Sequence, residues 1–283
     1  MTDVSAVPPP FGSFPPSRLQ GWLMRTGASM PPTRLGRKVC TSFRSVLRRM
    51  SDTPIDAEVL GQRMRLHPSG NAGEKRLLIS PQYFDPEELA QLSRMITPEF
   101  AFVDIGANVG TYTLFVATHA GARSRILAVE PHPIARQRLH CNLTLNALDW
   151  VIVAPVAISD SAGELELHLD ARNIGSTSAK AAHVGSPSGA SFRVAAVTLQ
   201  SLLETHGFKH VDALKIDIEG VEDVALVPFF TAAAERLFPR VIIIEDNRRA
   251  WQSDLFGLLE AKGYTRHALH SGNVILERRA GRG

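Results

Sequence analysis

Beyond residue 100 the apolar positions fall in short unbroken runs, at 101–105, 125–130, 151–158, 213–218 and 241–245. Runs of this length predict strands buried on both faces. Between them, apolar residues recur at helical spacing at about 110–120, 132–146, 199–206, 220–227 and 251–262. Strand and helix in alternation predict an α/β domain with a parallel sheet covered on both sides. Residues 163–198 break the rhythm. Leu165, Leu167 and Leu169 alternate with polar residues, and 192–197 is another strand-like run. This predicts a β-rich excursion around a mobile Gly/Ser stretch at 185–191. Residues 273–277 read as a final strand before a basic tail, 278–283.

The front of the chain is different. Seven of the 18 prolines lie before residue 33, so residues 1–33 read as an extended, disordered leader. In 34–54, a helix and its linker, Leu35, Val39, Phe43, Val46, Leu47 and Met50 recur at helical spacing with Arg37, Lys38, Arg44, Arg48 and Arg49 between them. This basic amphipathic helix, 34–50, either packs its apolar stripe on the domain or lies on a membrane surface or an anionic partner. A lead-in region, 55–100, reads as a short β-rich stretch and then a helix, with Asp85 placed to cap the helix starting at Pro86. The main domain is then 55–277, with its core at 101–277.

Charge sharpens this division. The net charge is +3, yet residues 1–50 hold eight Lys/Arg and one acidic residue, and the remainder holds 23 basic and 27 acidic residues. The body is therefore acidic, and no nucleic-acid partner is expected for it. Hydrophobic residues at 44% exclude wholesale disorder. Two cysteines exclude a disulfide scaffold and fit a reducing compartment, and no apolar signal core is visible near the N-terminus. A cytoplasmic protein is expected.

The strongest motif is Phe102-Val103-Asp104-Ile105-Gly106-Ala107-Asn108-Val109-Gly110. An apolar strand runs into a glycine loop and then a helix, which lets backbone approach a ligand and aims N–H groups at it. Glu130 follows at the end of the next strand, where a carboxylate accepts hydrogen bonds from a ribose diol. The pair predicts an adenosine-type ligand. The loop lacks the glycine spacing of a dinucleotide site, and Asp104 repels a pyrophosphate but attracts an ammonium or sulfonium group. S-adenosylmethionine carries both cations and no phosphate.

The sequence resembles the FkbM family of class I S-adenosylmethionine-dependent methyltransferases. The resemblance rests on the segment 103–113, on Val129-Glu130-Pro131-His132-Pro133 with Asn142 and Asn146, on Val156-Ala157-Ile158-Ser159-Asp160, and on Leu214-Lys215-Ile216-Asp217-Ile218-Glu219-Gly220. It spans about residues 55–277. Gln200 and the glycine-free stretch Val227-Pro228-Phe229-Phe230 depart from the family pattern. The resemblance implies a Rossmann-like seven-stranded sheet, mostly parallel with the last strand antiparallel and helices on both faces. It also implies methyl transfer to a hydroxyl oxygen of a sugar, glycan or natural product. Gly106, Asn108, Gly110, Asp104 and Glu130 are the candidate cofactor contacts. By resemblance Asp160 meets the adenine amino group; as a plain residue it is a turn before Gly163. His132 and His168 read as packing or surface histidines.

In such a sheet the strands ending at Asp217 and Glu245 are neighbours. Asp217 and Glu219, two apart, share a face of an extended strand. Glu245, Asp246 and Asn247 join them from the next strand end. Crowded carboxylates raise a pKa or demand a counter-ion. Lys215 is not expected to serve, so Mg²⁺ held by Asp217, Glu245 and Asn247 is the alternative. Asp217 is the candidate base, with Glu219 and Glu245 in support; for Glu219 the plain alternative is a helix cap. Residues 173–178 either touch ligand or form a turn. Two rival functions share the outline. One is a nicotinamide-dependent oxidoreductase, opposed by Asp104 and the missing glycine. The other is a non-catalytic S-adenosylmethionine-binding or docking protein, opposed by the Asp217/Glu219 pair.

Overall fold

The computed structural model describes residues 7–50, 52–170, 177–178, 187–270 and 272–279. The chain opens with two helices, α1 (Arg18–Ala28) and α2 (Arg34–Met50), followed by a hairpin, β1 (Ile55–Val59) and β2 (Gln62–Leu66). Helices α3 (Ala72–Ile79) and α4 (Pro86–Met95) flank a 3₁₀ turn, Pro81–Tyr83. The core follows as β3 (Ala101–Ile105), α5 (Thr111–Ala120), β4 (Arg125–Val129), α6 (Pro133–Leu145) and β5 (Ile152–Ala154). A second group comprises β6 (Ala157–Ile158), β7 (Gly163–Asp170), β8 (Thr177–Ser178) and β9 (Pro187–Val197). The chain then returns through α7 (Leu199–Thr205), β10 (Ala213–Ile216), α8 (Glu222–Ala232), β11 (Val241–Glu245), α9 (Leu255–Ala261), β12 (Tyr264–His270) and β13 (Asn273–Arg278).

The main sheet has seven strands in the order β12-β13-β11-β10-β3-β4-β5. β10, β11, β3, β4 and β5 pair in parallel, whereas β13 runs antiparallel to both β11 and β12. This is the Rossmann-like class I methyltransferase arrangement. Alternate residues face opposite layers, as pleating requires. Phe102, Ala128, Ala213 and Ile243 pack under α5, α6 and the N-terminal helices. Val103, Leu127, Leu214 and Ile244 pack under α7, α8 and α9.

Topology places the site. From β3 the chain steps outward to β4 and β5, then returns to lay β10 on the other side of β3. The strand order reverses there, and loops diverge from the carboxyl ends of β3, β4 and β10 to leave a crevice.

Three expectations need correction. Residues 18–28 form a helix where the proline count predicts a disordered leader. Ser17 and Gln20 build a reciprocal cap at its start: the Ser17 side chain accepts from the Gln20 N–H, and the Gln20 side chain accepts from the Ser17 N–H. The preceding turn is tied down by the buried Asp56–Arg65 pair (2.8 Å), since Asp56 accepts from the Gly12 and Phe14 N–H groups. Second, the run 151–158 is two strands. Pro155 has no N–H to offer a ladder, and after it β6 leaves the main sheet to pair with β9 in a four-stranded sheet, β6-β9-β7-β8. Third, residues 187–191 of the expected mobile stretch lie in β9, and 185–186 fall outside the described residues, as do 173–176.

Candidate active site

The loop after β3 is built on three left-handed residues. Gly106, Asn108 and Gly110 have φ of 77°, 53° and 93°. A Cβ on Gly106 would lie 2.0 Å from the Asp217 carbonyl oxygen, so only glycine lets this loop press against the end of β10. Gly110 does different work. A Cβ there would meet Leu139 Cδ1 at 2.4 Å and Leu114 Cδ1 at 2.7 Å, so it seats α5 against α6 and does not line the cavity. Asn108 is one of the residue types that tolerate this conformation. Its N–H donates to Glu130 Oε2 (2.7 Å), and its side-chain oxygen accepts from Asn71 Nδ2 (2.8 Å).

Asp104 in β3 and Glu130, the residue after β4, are both buried and both line a cavity of about 290 Å³. Asp104 Oδ2 accepts from the Thr113 N–H (3.1 Å) and Oγ1 (2.6 Å). Asp104 Oδ1 is buried with no partner among the described residues. An unpartnered carboxylate oxygen at a cavity wall is a seat for a donor or a cation. Glu130 accepts from the Asn108 and His132 N–H groups and keeps lone pairs toward the cavity. Burial pushes its pKa up to about 7 against those two bonds.

The opposite wall is the end of β10 and β11. Here Lys215 is the counter-ion, contrary to the reading from sequence. The ladder stays regular through Asp217, whose N–H bonds to the Ile105 carbonyl (3.1 Å), so the two side chains emerge on one face. Lys215 Nζ lies 3.1 Å from Asp217 Oδ2 and 3.5 Å from the Gly106 carbonyl. Burial alone would lower the lysine pKa, but the charges of Asp217 and Asp104 outweigh it and hold the ammonium protonated. Glu245 sits beyond Asp217. Burial first, then the Asp217 and Glu219 charges, raise its pKa to about 8.

The geometry gives no support to the metal set proposed from sequence. Asn247 turns its amide nitrogen to Glu245 Oε2 (2.5 Å) and is a donor there. Asp246 is drawn away by Arg248 (2.6 Å). Among the described residues no group of three or more His, Cys, Asp or Glu side chains is arranged to hold a metal.

Glu219 lines the cavity with φ of 58° and does not cap α8, whose N-cap is Val221. Buried Glu222 braces this loop, accepting from the Ile218 and Gly220 N–H groups (3.1 Å each) and from Trp251 Nε1 (2.7 Å). Asp160 is exposed and is held by Ser161 Oγ (2.9 Å), outside the cavity. Ile158 and Ser159 instead line an adjoining apolar cavity of about 170 Å³ with Val129, Pro131, Ile218 and Val224. His132 caps α6 through Nδ1, which accepts from the Ile134 N–H (3.1 Å). Burial lowers its pKa to about 4, keeping that nitrogen free to accept.

The lead-in region closes the cavity. Asn71, Arg76, Phe84, Asp85 and Tyr112 line that wall. Asp85 sits at the start of α4 without capping it. Its carboxylate instead accepts from the Tyr112 hydroxyl (3.0 Å) and pairs with Arg76 (3.4 Å).

A sequence profile of the methyltransferase FkbM domain matches residues 104–265. The chain belongs to the FkbM methyltransferase family. It is thus a methyltransferase, and the matched span runs from Asp104 to the edge strand β12. An FkbM methyltransferase from Methylobacillus flagellatus KT is similar in structure, at 15% identity and a TM-score of 0.45 over 86% of this chain and 59% of that one. An rRNA methylase from Streptococcus thermophilus covers 69% of this chain and 95% of its own, at 12% identity and a TM-score of 0.41. A Streptococcus mutans protein solved in complex with SAH covers 69% and 97%, at 11% identity and 0.42. No curated protein matches the chain.

Proposed function

We propose that this FkbM protein transfers a methyl group from S-adenosylmethionine to a hydroxyl oxygen of a sugar, glycan or natural product. The observation that carries the reading is Asp104 Oδ1, buried with no hydrogen-bond partner among the described residues, on a cavity that Glu130 also lines. Asp104 would hold the donor's ammonium, Glu130 its ribose hydroxyls, and the apolar cavity around Ile158 and Val224 its purine. The cavity walls carry Asp85, Asp104, Glu130, Asp217, Glu219 and Glu245 against Arg76 and Lys215, a balance that opposes a pyrophosphate. That favours a sulfonium donor over a nicotinamide dinucleotide.

When bound, the donor supplies an electrophilic methyl carbon. The protein must aim an acceptor oxygen at it and take up the hydroxyl proton. Asp217 is tied to Lys215 in an ion pair, whereas Glu245 carries the raised proton affinity that suits a base near neutral pH. Glu245 is accordingly assigned as the proton acceptor. Asp217 is assigned to orient the hydroxyl, and Glu219 adds negative charge beside them. Glu245 would take up the hydroxyl proton while Asp217 holds the acceptor oxygen toward the methyl carbon.

The test is mass spectrometry of a panel of hydroxylated sugars and polyketides incubated with the enzyme and methyl-labelled S-adenosylmethionine. One labelled methyl ether supports the proposal. Label found only on nitrogen or carbon, or on no member of a broad panel despite donor binding, contradicts it.

A further inference from the structure

Residues 18–50 hold eight Lys/Arg and no acidic residue. They fold as α1 and α2, packed on each other and on α3 through Leu23, Gly27, Cys40 and Leu47. That packing leaves a second apolar surface uncovered. Leu19 and Trp22 are each 51% exposed, Leu35 72% and Val46 41%. These are four of the six exposed large hydrophobic side chains among the described residues.

The four are not scattered. Trp22 on α1 touches Phe43 on α2, with ring centroids 5.6 Å apart. On α2, Leu35, Val39, Phe43 and Val46 follow one another at three- and four-residue steps, so they share a side of the helix. The contact therefore joins both helices into one apolar strip. Exposed cations border it: Arg18 and Arg25 at helical steps from Trp22, and Lys38 and Arg49 at steps from Leu35 and Val46.

We propose that this two-helix hairpin docks the protein on an anionic membrane surface. A Trp-bearing apolar strip edged by Lys and Arg suits the boundary between acyl chains and acidic headgroups. Exposed aliphatic side chains such as Leu19, Leu35 and Val46 gain from hydrocarbon but do not stack on bases, which favours lipid over nucleic acid. The contact is peripheral, because no helix among the described residues is long and apolar enough to cross a membrane. The hairpin is also fixed to the catalytic domain. Tyr83 Oη lies 2.8 Å from the Met30 carbonyl in the α1–α2 connection, and the following residues, Phe84 and Asp85, line the cavity. Docking would thus hold the cavity wall close to the lipid surface.

The test is flotation of the full chain with vesicles of phosphatidylcholine alone or mixed with phosphatidylglycerol. Flotation with the mixed vesicles only, reversed by high salt, is expected. The R18E/K38E/R49E variant should partition at least about tenfold more weakly. Should that variant misfold, quenching of wild-type tryptophan fluorescence by brominated lipid, lost in Trp22→Phe, reports the same contact. Absence of flotation at low salt, unchanged partition of a folded charge-reversed variant, or retention on RNA without vesicle binding would overturn the proposal. These readouts need no methyl transfer, so they stand or fall apart from the catalytic reading.

Discussion

Lys215 Nζ lies 3.1 Å from Asp217 Oδ2 at the carboxyl end of β10, inside a cavity otherwise dominated by carboxylates. One buried ammonium thus stands where the crowding of acids would otherwise call for a metal. It also divides the labour between two neighbouring acids: Asp217 is engaged in the ion pair, and Glu245 carries the raised proton affinity.

The pH profile follows from that division. Glu245 titrates near pH 8, facing Asp217, Glu219 and the Asn247 amide. The rate constant kcat should rise with pH and level off above about 8. Glu245→Gln should remove the rising limb and lower kcat by about 10²–10⁴-fold, while donor affinity measured by calorimetry stays unchanged. A folded variant with the wild-type profile would remove Glu245 as the base.

The same group carries a stability signature. The native state keeps the Glu245 proton up to about pH 8, whereas the unfolded chain releases it near 4.5. Between those values the native state binds more protons, so stability falls as pH rises. Urea melts of Glu245→Gln should show a shallower decline over this window than the wild type.

His132 gives the opposite sign. Its native pKa of about 4 lies below the ordinary 6.5, because burial and then the Arg138 and Arg136 charges disfavour its charged form. Its contribution is complete above pH 6.5 and is lost as pH falls toward 4. His132→Ala should cost about 1 kcal/mol at pH 7. His132→Asn keeps an acceptor and should flatten the acid dependence, as read by urea melts across that range.

Gly106 and Gly110 should separate in binding assays. Gly106→Ala drives a Cβ into the Asp217 carbonyl and should abolish donor binding. Gly110→Ala pushes on Leu139 and Leu114. It should lower stability by about 1–3 kcal/mol, yet leave donor affinity within a few-fold in the fraction that folds. Equal loss of binding in both would show that the second glycine also serves the ligand.

The core strands were legible because they are buried on both faces and so are written as unbroken apolar runs. The loop after β3 and Glu130 were legible because their chemistry is local in sequence. β12 was missed because, at the sheet edge, it reads Tyr-Thr-Arg-His-Ala-Leu-His with little apolar pattern. α1 is masked in the sequence by the prolines on either side of it, and its signal is confined to the Ser17/Gln20 cap. The role of Lys215 needed the register of β10 beyond its last ladder residue, which composition does not convey. Asp85 and Arg76 reach the cavity from a region whose relation to β3 is purely tertiary.

Calorimetric titration of the wild type and of Asp104→Asn with S-adenosylmethionine and with NAD⁺ tests the central claim most directly. Losing the charge opposite the donor's ammonium should weaken S-adenosylmethionine binding by about ten- to a hundredfold, and NAD⁺ should give no saturable heat with the wild type. Saturable NAD⁺ binding without any response to S-adenosylmethionine would contradict the account.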